Sequence, residues 1–191
     1  MGHSQLEKQK THDRIVEIAS KRLREKGLEG LGVADLMKEA GLTVGGFYKH
    51  FASRDEMVAE AVKLAFGSWE AKVRSEGRAP SNIPMAEYSA NYLSDDHRDD
   101  VSGGCPFAAL TADLARSGEQ CRSLATEQLK KNLGNMTARM NAADEADARR
   151  KAIIASCLMT GAVGLARIVD EELSDEILET VRSFVDDLAA K

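Results

Sequence analysis

Residues 31–51, LGVADLMKEAGLTVGGFYKHF, constrain this chain more than any other stretch, because two short helical patterns meet there across a glycine. Val33, Leu36, Met37 and Ala40 recur at helical spacing, which buries one face and leaves Asp35, Lys38 and Glu39 in water. Gly41 supplies the left-handed backbone that ends a helix without a Cβ clash. Thr43 is placed to cap the second helix, and Gly45-Gly46 removes side chains from its first turn, where the backbone would approach something bulky. DNA fits that description. In a helix-turn-helix the start of the second helix enters the major groove while flanking amides and hydroxyls hold phosphates.

Charge is distributed in keeping with such a head. Residues 1–55 carry ten Lys/Arg against eight Asp/Glu, a net of +2, and residues 56–191 carry sixteen against twenty-three, a net of −7. A mildly basic head on an acidic body suits a head that meets phosphate. With 43% hydrophobic and 30% charged residues in 191, the make-up is that of an ordinary globular protein of one domain or two small ones. Only 5% of residues are aromatic, which argues against a cofactor cleft dominated by rings. Cys105, Cys121 and Cys157 form neither a CxxC pair nor an even set, so a disulfide framework or zinc ribbon is disfavoured and a reducing cytoplasm is expected. No signal-peptide core and no apolar run of about 18 residues is present, so neither export nor membrane insertion is expected. Met1-Gly2-His3-Ser4 is given no structural weight.

Along the chain the periodicity is helical throughout, and no β-type alternation, internal repeat or low-complexity tract is evident. A first helix is expected over 11–26, stopped by Gly27. Lys8, Lys10, His12 and Arg14 open it and are candidates for phosphate contact. Ser53-Arg54-Asp55-Glu56 reads as a capping box for a long helix to Glu76, and the Gly77–Pro84 stretch must break it. Further helices are expected over 88–93, from Pro106 to Arg116, and over 119–142, 144–169 and 174–190. The segment containing Asp95, Asp96, His97, Asp99 and Asp100 lacks a calcium-loop pattern and is expected as a solvated surface loop, with no metal.

The run ADLMKEAGLTVGGFYKHF followed by SRDEMV resembles the N-terminal domain of the TetR family of transcription regulators, specifically over residues 8–68. GGCPFAALTADLAR at 103–116 is similar to an element of that family's regulatory domain. Two positions depart from the family: Val44, where a polar, histidine or basic residue is common, and Gly32, where a Ser or Thr cap is usual. The resemblance implies an all-α fold, with a three-helix helix-turn-helix DNA-binding domain over 8–68 and a helical ligand-binding and dimerisation domain over 69–191. It further implies a sequence-specific DNA-binding regulator, a repressor released from its operator by a small-molecule or reactive effector. The implied partners are double-stranded DNA carrying a two-fold-related operator, a second copy of the chain and an unidentified small-molecule effector. No cofactor and no catalysis is expected. A helical adaptor that has lost DNA binding, or a thiol-dependent enzyme using Cys105 with His97, are the alternatives.

Matching family positions make Thr43, Val44, Gly45, Gly46, Tyr48, Lys49, His50 and Arg54 the DNA-binding candidates. Thr43 offers a hydroxyl, Tyr48 and His50 one hydrogen bond each, Lys49 and Arg54 charge, and Val44 apolar contact to a thymine methyl. If the family layout holds, a cavity would be lined by Phe66, Trp69, Tyr88, Tyr92, Phe107, Leu110, Leu133, Met136, Met140 and Met159. Cys105 precedes Pro106 at a helix N-terminus, where free amides favour thiolate, and is a candidate redox or electrophile sensor. Stripes along the last two helices, Ile154, Leu158, Gly161 and Leu165 with Ile177, Val181, Phe184 and Leu188, suit either a two-fold four-helix dimer interface or this chain's own core.

Overall fold

Nine α-helices and two 3-10 turns make up the computed structural model, which describes residues 2–191; Met1 and the side chains of residues 2–4 lie outside the described residues. The helices are α1 (Gly2–Lys26), α2 (Val33–Glu39), α3 (Arg54–Ser75), α4 (Met85–Tyr92), α5 (Asp95–Asp99), α6 (Pro106–Arg116), α7 (Glu119–Thr137), α8 (Glu145–Ala166) and α9 (Glu171–Ala190). No strand occurs among the described residues, as an all-α reading requires.

Local chemistry sets most of the boundaries. Gly27, Gly41 and Gly77 end α1, α2 and α3 at φ of 74°, 69° and 76°. The Ser53 hydroxyl accepts the Glu56 N–H at 3.1 Å, but Glu56 Oε2 returns to the N–H of Ala52 at 2.5 Å instead of to Ser53, so the expected box closes one residue early. Helix α1 begins nine residues before its expected start and α4 three residues before, and three further expectations fail for identifiable reasons. The segment after Ser94 is the short helix α5, because the Ser94 hydroxyl caps it by accepting the His97 N–H at 3.2 Å. Helix α7 stops at Thr137, and the linker beyond it is pinned to the end of α9 by Asn141 N–H on the Ala189 carbonyl at 2.9 Å. Helix α9 starts three residues early, where Asp170 accepts the Leu173 N–H at 3.0 Å.

Two cores hold the helices. The first gathers Ile15, Ala19 and Leu23 of α1, Leu36 and Met37 of α2, Phe47, Phe51, and Met57, Val58 and Val62 of α3. It also takes Leu110 and Leu114 from α6 and Cys121 from α7, while α3 runs unbroken through position 68 to Ser75. The head is thus packed on the body through shared side chains, each large one contributing about 1.5–3 kcal/mol on burial. The second core joins Met85, Met136, Met140, Ala152, Ala155, Met159, Val163, Leu178 and Val185 from α4 and α7–α9.

Candidate nucleic-acid interface and interior cleft

Thr43–His50 form the outer corner of the head. Thr43 is extended (φ −82°, ψ 151°) and precedes the segment Val44–Lys49, which is a 3-10 helix and not an α-helix. Its hydroxyl makes no capping bond, contrary to expectation, so it stays free for an outside acceptor. Tyr48 is 75% exposed and Val44 50% exposed, while Phe47 is buried and anchors the segment against Phe51 at 5.3 Å between ring centroids. No atom lies within 4 Å of a Cβ built on Gly45, and Gly46 would meet only Met37 and Thr43 at ordinary distances. No packing inside the protein therefore requires either glycine.

Lys8 and Thr11 of α1 line an open depression together with Thr43, Gly46, Tyr48, Lys49 and His50. Thr11 was not a sequence candidate, although its spacing of three from Lys8 puts both on one helical face. Other candidates are committed to the protein itself. Arg54 donates to the carbonyls of Leu31 (3.2 Å) and Leu28 (2.5 Å), bolting down the α1–α2 link. Arg14 donates to the Ala40 carbonyl at 2.6 Å, and His12 stacks on Phe51 at 4.5 Å while meeting Glu60 at 2.7 Å. His50 is half-buried with Nδ1 unpartnered; burial first, then His12, Lys8 and Lys49, depress its pKa and keep the ring neutral near pH 7.

In the body a cleft of about 740 Å³ opens between α3, α4, the 103–107 turn and α7. Five of the ten expected residues line it: Phe66, Trp69, Tyr88, Tyr92 and Phe107. The other five do not. Leu110 faces the first core, and Leu133, Met136, Met140 and Met159 are buried in the body, so their apolar periodicity reported core packing and not a cavity wall. The scarce aromatics concentrate here, with Trp69 edge-on to Tyr88 (5.4 Å), Tyr88 beside Tyr92 (5.9 Å), Tyr92 beside His97 (4.6 Å) and Phe66 on Phe107 (4.7 Å). Sequence reasoning missed the polar lining, namely Arg139, Gln128, Asn132, Asn135, Asn91 and Glu70, because helical amides carry no motif.

Cys105 and His97 stand at one end of the cleft, on successive elements. Cys105 is the N-cap of α6, half-buried, with Pro106 at the first turn and its sulfur beside the Tyr92 hydroxyl. His97 Nδ1 sits 2.5 Å from the Tyr92 carbonyl, and Nε2 accepts the Cys105 N–H at 2.8 Å. Both ring nitrogens are therefore occupied by backbone, which leaves none to take a proton from the thiol. Burial raises the phenols of Tyr88 and Tyr92 well above their ordinary range and keeps them protonated donors.

On the far side, α8 and α9 turn Ala152, Ala155, Met159, Val163, Leu178 and Val185 inward. On the outer side α8 carries Ile154 (39% exposed), Leu165 (53%) and exposed Gly161, α9 carries Phe184 (53%), and Ile168 (77%) lies in the turn between them, whereas half-buried Leu158, Ile177, Val181 and Leu188 pack against the second core. No atom lies within 4 Å of a Cβ built on Gly161, so a second helix can come close there.

Comparison with known proteins places this geometry. Residues 15–61 match the family model described as "Bacterial regulatory proteins, tetR family". The chain is 38% identical over 55 residues to the HTH-type transcriptional repressor KstR2 of Mycobacterium tuberculosis, covering 29% of this chain and 27% of that one. It spans less than a third of the length of the curated relatives matched through the head alone. A longer match reaches the uncharacterised HTH-type regulator Rv0196 of M. tuberculosis, at 27% identity over 169 residues, 82% of this chain and 84% of that one. The fold is that of a TetR transcriptional regulator from Chloroflexus aurantiacus, with a TM-score of 0.79 at 22% identity over 97% and 96% of the two chains. Motif, fold and matched head agree: the head at residues 15–61 matches the tetR family of bacterial regulatory proteins, and the whole chain has the fold of that TetR regulator.

Proposed function

We propose that the protein is a DNA-binding transcriptional repressor that acts as a homodimer and leaves its operator when a small molecule occupies the cleft. The observation that carries the reading is the bare corner at Gly45-Gly46 flanked by exposed Thr43, Tyr48 and Lys49, with no internal demand for the missing side chains. Two such corners on a two-fold dimer would enter major grooves about 34 Å apart. The unpartnered face of α8 and α9 supplies the dimer contact. An effector in the cleft bears on α3 and on the α6 N-terminus, both of which enter the head core, and so shifts the spacing of the two corners by its differential affinity for the two shapes. A reactive effector would meet Cys105 at the cleft wall.

Selection of bound sequences from a random duplex pool, followed by affinity measurement on the winner, tests the reading. A two-fold-related site is expected, with Lys49→Ala weakening it and reducing the salt slope by about one. No enrichment from folded protein at any salt concentration would overturn it in favour of a helical adaptor.

A further inference from the structure

We propose that the cleft takes a carboxylate carried on a flat ring, with the carboxylate on Arg139 and the amides beside it and the ring against Trp69 and Tyr88. The inference rests on the reading of the cleft as the effector site. Arg139 of α7 is half-buried and pinned: Nε donates to the Ile83 carbonyl at 2.8 Å, Nη2 to that of Pro80, and the guanidinium lies over the Tyr88 ring at 4.5 Å. Its remaining nitrogen, Nη1, makes no hydrogen bond among the described residues and is not sealed from the cleft. No carboxylate among the described residues pairs with this cation; burial lowers its pKa and only the Tyr88 phenol opposes, while an arginine still keeps its proton. A desolvated guanidinium without a counter-charge is costly, and an anion entering the cleft would offset that cost.

The other charges of the lining differ from Arg139 in being either paired or exposed. Glu87 is held two-handed by Arg78 at 2.6 and 2.7 Å, and buried Glu70 by Lys131 at 2.5 Å. Lys72 and Glu76 are unpaired but exposed, opposite in sign and one turn apart at the end of α3. Asp96 and Asp100 are exposed at the other end of the cleft, beyond Tyr88, Tyr92 and His97, whose rings follow one another from Arg139 at 5.9 and 4.6 Å. Exposed acids act through water and are screened over about 8 Å at physiological salt, so they oppose an anion at Arg139 less than the guanidinium beside it attracts one. Asn132 accepts from Gln128 at 2.8 Å, which leaves its NH2 free, and Asn135, one turn before Arg139 on α7, makes no side-chain hydrogen bond among the described residues. Guanidinium and amide N–H groups together suit a planar acceptor with two oxygens. Flat apolar surface comes from Trp69, edge-on to Tyr88 and still 38% exposed.

Four probes separate charge from shape in calorimetric titrations of the full chain: 2-naphthoate, 2-naphthamide, 2-naphthylmethylammonium and decanoate. Naphthoate is expected to bind more tightly than each of the others, by about tenfold. Asn135→Asp sets a carboxylate one turn from Arg139 and should cut the naphthoate preference over naphthamide by about tenfold. Arg139→Gln should abolish that preference. Because Arg139 also ties down Ile83 and Pro80, melting temperatures are measured alongside, and Asn135→Asp decides the matter if the glutamine variant is unfolded. Equal or tighter binding of naphthamide, the ammonium or decanoate, no binding by any probe, or a preference unmoved in a folded variant would overturn the proposal. Operator affinity measured on the same preparations keeps the two readings apart. Naphthoate selectivity without DNA binding would remove the repressor and leave the ligand class, whereas DNA binding without selectivity would do the reverse.

Discussion

Gly45 and His97 each have a role that a single substitution isolates. A Cβ at Gly45 meets nothing within 4 Å, so Gly45→Ala should alter folding stability by no more than about 1 kcal/mol. If the bare backbone exists to meet DNA, the same change should weaken operator binding by about tenfold or more, measured by titration against the selected site. An unchanged affinity would mean that the corner does not approach DNA closely. At His97, desolvation lowers the pKa, the Tyr92 hydrogen bond opposes it, and the Arg167 charge lowers it further. Below about pH 6.5 the unfolded chain takes up a proton that the folded ring resists. Stability is therefore whole above that pH and declines as pH falls toward the depressed folded value. Protonation would also turn Nε2 into a donor facing the Cys105 N–H. Urea midpoints should fall between about pH 7.5 and pH 5, and His97→Gln should flatten that fall at a cost of about 1–3 kcal/mol at the upper pH. An equally steep fall in the variant would assign the effect to another group.

Helix ends separate what the sequence disclosed from what it withheld. Gly27 and Gly41 were both legible as stops, yet their surroundings differ in a way no periodicity reports. Gly41 (φ 69°) has open space around it, so Gly41→Ala pays for backbone conformation alone, about 1 kcal/mol. Gly27 (φ 74°) lies where a Cβ would stand 2.9 Å from Asp113 Oδ1, the same carboxylate that accepts the Leu28 N–H at 3.2 Å and ties α6 to the end of α1. Gly27→Ala should therefore cost about 2 kcal/mol or more in chemical denaturation, because strain is joined by the loss of that tie. Equal costs at the two sites would mean that Asp113 swings away freely. The same division runs through the candidate sites. Local pattern gave the turn, the Ser53 cap and Pro106 at the start of α6, since each depends on neighbours in sequence. Arg14 and Arg54 looked like phosphate ligands because charge is visible in a sequence and a carbonyl 23 or 26 residues away is not. The five apolar residues expected in the cleft and found in the core failed for a related reason: helical spacing marks a buried face without saying what it is buried against.

At the scale of the whole molecule, the reading turns on whether α8 and α9 meet a second copy. Both helices pack on the second core yet leave Leu165 and Phe184 exposed, with Ile168 exposed in the turn between them, and a lone chain gains nothing from keeping these side chains in water. A two-fold axis past Gly161 would cover them at once and make a self-complementary four-helix contact. Leu165→Asp combined with Phe184→Asp tests this without touching either core, because both side chains are more than half exposed in the single chain. Sedimentation should then show a folded monomer with the parent's helix content. Each head would still grip one half-site, but the second contact would no longer be intramolecular. Apparent affinity for the two-fold operator should fall by about 10²–10⁴, while affinity for an isolated half-site stays near that of the parent. A dimer that survives both substitutions would move the interface to another surface. A monomer that keeps full operator affinity would separate dimerisation from DNA recognition, and the two-fold site would need a different explanation.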